Sequence, residues 1–247
     1  MTNAQPKKSD LGVRVASAVV MVTVAGTALW LGSWVWTAFV ALVALGVLWE
    51  WRGLTIEFHH RTMWNLAGLV YVFVAAGTLW QLRLDDGISL SLSLILVIIA
   101  TDVGAYFSGR TFGGPKIAPK ISPSKTWSGL IGGMLAAGIV LFLTFPRLCY
   151  DNCPTDPIII WTKDWRSIAL DFPWSDFVFV FGVGALIAVV AQSGDFFESW
   201  MKRQAGVKDS SSLIPGHGGL LDRVDGLLAV LFCIGLFSLL VYLYGIA

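Results

Sequence analysis

The sequence predicts an all-α fold: a polytopic integral membrane helix bundle with about seven transmembrane helices, and at most about nine. Three observations carry that expectation. Hydrophobic residues make up 56% of the 247, and mean hydropathy is +0.73. Charged residues make up only 13%, against about a quarter in soluble domains. Apolar runs long enough for a hydrocarbon core about 30 Å thick recur along the chain, separated by short segments that hold most of the Lys and Arg. No internal repeat and no soluble stretch of domain size interrupts them, so residues 1–247 read as a single integral membrane domain.

Residues 1–10 are polar and carry Lys7 and Lys8. The first span follows at 11–32, longer than the apolar region of a signal peptide and succeeded by further spans, which fits an uncleaved first helix. The remaining spans are expected at 33–49, 63–80, 88–108, 127–145, 176–200 and 224–245. The join at Gly32-Ser33 is so short that the first pair forms either a tight hairpin or a partial re-entry. Trp30, Trp49, Trp64, Trp80, Trp127 and Trp200 fall near span ends, where amphipathic rings meet the headgroups. Gly129, Gly133 and Ala137 share one helix face that admits a close backbone, either from within the chain or from a second copy in a homodimer. Gly184, Ala188 and Ala191 form a similar face leading towards Asp195.

Basic residues set the orientation. With the N-terminus inside, the internal loops and span ends hold Lys7, Lys8, Arg14, Arg52, Arg61, Arg110, Lys116, Lys120, Lys125, Lys202, Arg203, Lys208 and Arg223. The external set is Arg83, Arg147, Lys163 and Arg166. A net charge of +1 gives no general grip on nucleic acid. The three cysteines lack zinc spacing with the three histidines; Cys149 and Cys153 share one external loop, where a bridge needs an oxidising compartment.

One stretch breaks the apolar pattern. Residues 193–225 read SGDFFESWMKRQAGVKDSSSLIPGHGGLLDRVD. Asp195, Glu198, Ser199 and Lys202 recur at helical spacing on one face, and Asp222 and Asp225 stand three apart at the start of the next span. Between them, Pro215-Gly216-His217-Gly218-Gly219 suits a tight turn whose amides approach phosphate. Capping explains Asp222 and Asp225 at a helix start, but not Asp195 and Glu198 at the negative end of the preceding helix. A hard divalent cation resolves that conflict. Asp102, late in the fourth span, is either a paired acid, with Arg110 as one candidate partner, or part of the same site. The basic loop with Lys116, Lys120 and Lys125 has topology as its simplest reading. Gly109 to Lys116 fails as a phosphate-binding loop, because Pro115 stands where the lysine is required.

Ser199, Lys202-Arg203, Lys208-Asp209, Pro215-Gly216-His217-Gly218-Gly219 and Asp222-Arg223-Val224-Asp225 resemble, in order and spacing, the signature of the CDP-diacylglycerol synthases, or phosphatidate cytidylyltransferases. Asp102 to Tyr106 and Ser122-Pro123-Ser124-Lys125-Thr126-Trp127 resemble that family's other common segment. The resemblance implies a membrane enzyme that joins CTP to phosphatidic acid, releasing pyrophosphate. It implies Asp195, Lys202, Asp222 and Asp225 as catalytic residues and Mg²⁺ on Asp195, Asp222 and Asp225, with a second cation an option at Asp225 and Glu198 in support. Ser122, Lys125, Ser199, Arg203, Lys208, Asp209, His217, Gly218, Gly219 and Arg223 are the expected substrate contacts. On this reading residues 1–100 are N-terminal helices, 101–146 the cationic-loop helices and 176–247 the catalytic helices, in a cell membrane with the site facing the cytoplasm. The alternatives are another CTP-dependent lipid-phosphate cytidylyltransferase, a CTP-using lipid kinase and, more distantly, an ion-coupled transporter that uses the same buried acids.

Overall fold

The computed structural model describes residues 11–85, 87–152 and 174–245, and of 145–152, 175 and 176 the backbone alone. Seven helices in it are long and apolar enough to cross a membrane: α1 (Leu11–Leu31), α2 (Ser33–Leu54), α3 (Arg61–Asp85), α4 (Gly87–Phe112), α5 (Trp127–Asn152), α6 (Trp174–Gln204) and α7 (Leu221–Leu243). The number agrees with the sequence expectation. The helices outrun the predicted spans at several ends, because polar residues continue a helix into the headgroup layer. The all-α expectation needs one amendment. Between α4 and α5, β1 (Lys116–Ala118) and β2 (Ser122–Thr126) pair antiparallel as a small hairpin.

Contacts between distant residues fix which helix ends lie together. Ser17 near the start of α1 reaches His217, and Glu50 near the end of α2 reaches Ser210 and Leu221. Lys125 on β2 pairs with Asp195 of α6. These place the start of α1, the end of α2, the β-hairpin, the lower part of α6 and the start of α7 at one end of the bundle. At the other end, Arg83 of α3 donates from Nε to the Leu29 carbonyl at 2.9 Å, closing the last turn of α1. The join at Gly32 is therefore a hairpin between two full helices. Arg83 falls on the end opposite the catalytic candidates, as the charge distribution predicted. The other three external basic residues, and Cys149 and Cys153 with their proposed bridge, lie outside the described side chains.

The core runs along α2, α3, α6 and α7, with Trp36, Trp51, Val72, Met201 and Leu231 among its most buried members. Small residues seat α4, α5 and α6. A methyl group on Gly133 would stand 3.0 Å from the Thr101 carbonyl, and one on Gly129 3.0 Å from that of Ala105. The Gly129/Gly133 face thus receives α4 of the same chain, which accounts for it without a second copy.

Candidate active site

The approach of α6 to α7 builds the site. A Cβ on Gly194 would lie 2.6 Å from the Asp225 carbonyl, closer than a side chain allows, and one on Gly226 3.2 Å from that of Ala191, a tight contact, so small residues let these backbones meet. Asp195 and Asp225, each next to one of these glycines, are thereby brought within electrostatic reach of each other and of Asp102 on α4. Asp102 makes no hydrogen bond or ion pair with any described residue. Arg110, its candidate partner, instead donates to the Tyr106 hydroxyl at 2.7 Å, one turn away on its own helix.

Cations thread between the acids. Lys125 pairs with Asp195, whose other oxygen accepts from Ser199 Oγ at 3.3 Å. Lys202 bridges Glu198 Oε2 at 2.5 Å and Asp222 Oδ1 at 2.6 Å. Asp222 is the most heavily bonded of the group. Its Oδ2 accepts from Ser210 N–H at 2.9 Å, Ser210 Oγ at 3.0 Å and Gly219 N–H at 2.8 Å. Asp225 accepts from Gly226 N–H at 2.8 Å.

The expectation that Asp195 sits at the negative end of its helix is corrected. α6 runs on to Gln204, so Asp195 lies more than two turns inside it, where the dipole is weak. What neutralises it is Lys125. Asp222 is likewise not the cap of α7: the helix's first free N–H groups, those of Leu220 and Leu221, donate to Glu50 of α2 at 2.8 and 2.6 Å. Sequence reasoning missed Glu50. The available signal was a lone carboxylate in an apolar span, which rarely stands without a function or a full set of partners.

The glycine loop folds on itself. Ile214 N–H donates to the Gly218 carbonyl at 2.8 Å, and Gly216 and Gly218 take φ of 75° and 86°, conformations that disfavour a side chain. Ser17 Oγ lies 2.8 Å from His217 Nδ1, and Arg223 donates to the His217 carbonyl at 2.8 Å. Ser122 is buried at the start of β2, the strand that also carries Lys125. Asp209 approaches Gly218. Two expected substrate contacts stand apart from the acids: Arg203 points to the Val207 carbonyl at 3.4 Å, and Lys208 is exposed without a partner among the described residues.

A divalent cation does not find a finished cage. Among the described residues no three His, Cys, Asp or Glu side chains converge tightly enough to hold one. Lys125 and Lys202 instead pair with oxygens of Asp195, Glu198 and Asp222. The donor set is nevertheless chemically right for a hard cation. Glu198 Oε1 is buried with no hydrogen-bond partner among the described residues, and Glu198 lines the same narrow cavity as Asp225. Asp222 can offer only Oδ1, and only after Lys202 withdraws to Glu198.

The chain matches known proteins over most of its length. A family model described as the cytidylyltransferase family matches residues 55–242. A phosphatidate cytidylyltransferase of Brucella melitensis biotype 1 is 41% identical over 184 residues, which cover 74% of this chain and 57% of that relative. One of Rickettsia bellii is 35% identical over 226 residues, covering 90% and 88%. Another, of Rickettsia prowazekii, is 31% identical over 236 residues, covering 93% and 94%. The match thus spans a little over half of the Brucella protein and most of each rickettsial one.

Proposed function

Because the chain belongs to the cytidylyltransferase family, we propose that it is a phosphatidate cytidylyltransferase, converting CTP and phosphatidic acid to CDP-diacylglycerol and pyrophosphate. A phosphate oxygen of the lipid attacks the α-phosphorus of CTP. The new P–O bond forms as the α–β anhydride bond breaks, and pyrophosphate leaves with the electron pair. The attacking monoester is already anionic near neutral pH, so no strong general base is required. The demand is for charge neutralisation and alignment.

One observation supports this reading above the rest: Lys125 and Lys202 pair with three acids, Asp195, Glu198 and Asp222, at one end of a membrane bundle, beside a glycine loop. Two phosphate-bearing substrates would draw the lysines off the carboxylates and leave those oxygens for a cation. We place Mg²⁺ on Asp195 and Asp225, with Asp222 adding Oδ1; when bound, it would neutralise phosphate charge developing in the displacement. Lys125, Ser122 and Ser199 then face one phosphate group, and Lys202, His217, Gly218, Gly219 and Arg223 the other. Arg203, Lys208 and Asp209 sit further out, on the approach from solvent. The basic residues grouped at this end favour a cytoplasmic site in a cell membrane, where CTP arrives from water and lipid from the side.

The test is product identity. Purified protein is given CTP labelled in the cytidine, with phosphatidic acid, diacylglycerol or another lipid phosphate as acceptor. A cytidine-labelled lipid formed from phosphatidic acid is expected. Label transfer only to a different lipid phosphate, or phosphorylation of diacylglycerol, would replace this reading.

A further inference from the structure

Glu50 lies outside the residues matched by the family model, near the end of α2, and is 2% exposed. A carboxylate so buried is costly unless its oxygens are satisfied. Glu50 is fully satisfied, and every donor comes from the segment joining α6 to α7 or from the first residue of α7. Ser211 Oγ and Leu220 N–H reach Oε1 at 2.6 and 2.8 Å; Ser210 Oγ and Leu221 N–H reach Oε2 at 2.9 and 2.6 Å. These donors sit at the two ends of the glycine loop, whose middle is closed by its own Ile214–Gly218 bridge. The fit at the second end is tight, since a Cβ on Gly219 would come within 2.7 Å of Glu50 Oε2.

The clamp connects directly to the site. Ser210 Oγ, 2.9 Å from Glu50, is also 3.0 Å from Asp222 Oδ2, and Ser210 N–H donates to that same oxygen. A hydroxyl has one proton, so the two carboxylates share it and the place of each depends on the other. We infer that Glu50 is a positioning residue for the transfer reaction. It draws the two ends of the glycine loop together and, through Ser210, fixes the carboxylate of Asp222. A carboxylate is needed because four donors require two accepting oxygens; an amide offers one and turns a donor towards the rest.

This inference takes its kinetic readout from the cytidylyltransferase reading. Full-length protein in detergent is assayed with CTP and phosphatidic acid, and hydrogen exchange is followed at residues 210–222. Glu50→Gln should lower kcat/KM about tenfold or more and speed exchange of the Leu220 and Leu221 amides by a similar factor. Ser210→Ala, which touches both carboxylates, should lose more activity than Ser211→Ala, which touches only Glu50. The Glu50→Gln/Ser210→Ala double variant should be no worse than Glu50→Gln alone, within about twofold, because both break one linkage. Unchanged activity and exchange in Glu50→Gln, or losses that multiply in the double variant, would overturn the proposal. Should Glu50→Gln fail to fold, the order of the two serine variants decides, and the reverse order overturns it. A wild-type protein inactive on these substrates would sink the assigned reaction instead, and exchange alone would then decide for Glu50.

Discussion

Asp195 and Asp222 stand on neighbouring helices at the same end of the bundle, yet the protein treats them differently. The side chain of Asp222 is 6% exposed and holds four contacts, three of them from the loop that precedes it. That of Asp195 is 28% exposed and meets one lysine and one distant serine hydroxyl, while Asp225 and Asp102 repel it. One acid is woven into the fold; the other is held by a single lysine and is partly exposed. In a chain this poor in charge, an acid held close to like charges with so few partners marks where a ligand supplies what the fold does not.

Substitution should separate the two behaviours. The largest effect on turnover is expected on the open side: Asp195→Ala and Asp225→Ala should each lose at least about a hundredfold in pyrophosphate release, since each would remove an oxygen ligand of the proposed cation. The unfolding midpoint of Asp225→Ala in detergent should hold or rise, because it relieves repulsion, and that of Asp195→Ala should change little, because relief of repulsion is offset by the lost Lys125 pair. Asp222→Ala should match that loss of activity but also lower the midpoint, since it leaves Lys202 with Glu198 alone and strands the N–H groups of Ser210 and Gly219, at about 1–3 kcal/mol for each buried donor. If Asp222→Ala proved as stable as Asp195→Ala, the contrast would be wrong. Lys125→Ala should cost less, about ten- to a hundredfold, with partial recovery in Lys125→Arg; an Asp195 that bound Mg²⁺ more tightly without Lys125 would sharpen the view that lysine and metal compete for it. Glu57→Ala, on the exposed turn between α2 and α3, should stay within about twofold of wild type in turnover and midpoint.

How much of this was legible beforehand follows from what spacing can express. Hydropathy yields the seven helices because a span must be continuous in sequence, and helical spacing groups Asp195, Glu198, Ser199 and Lys202 because they share one helix face. The β-hairpin escaped, being a few polar residues with no alternation to reveal it. So did the pairings: nothing in a linear pattern says that Lys125 meets Asp195 while Arg110 turns back to Tyr106. Glu50 was the costliest omission. A single acid near the end of an apolar run has no periodicity, and its four donors lie some 160 to 171 residues further along the chain.

The most direct test of the open acids as a cation site is pyrophosphate release by the purified protein from CTP and phosphatidic acid while Mg²⁺ is titrated against a chelator. Release should vanish on chelation, return with Mg²⁺, and in Asp195→Asn require far more Mg²⁺ or fail to return. Release that persists in full under chelation, or an Asp195→Asn titration that overlays the wild type, would contradict a metal held by these carboxylates.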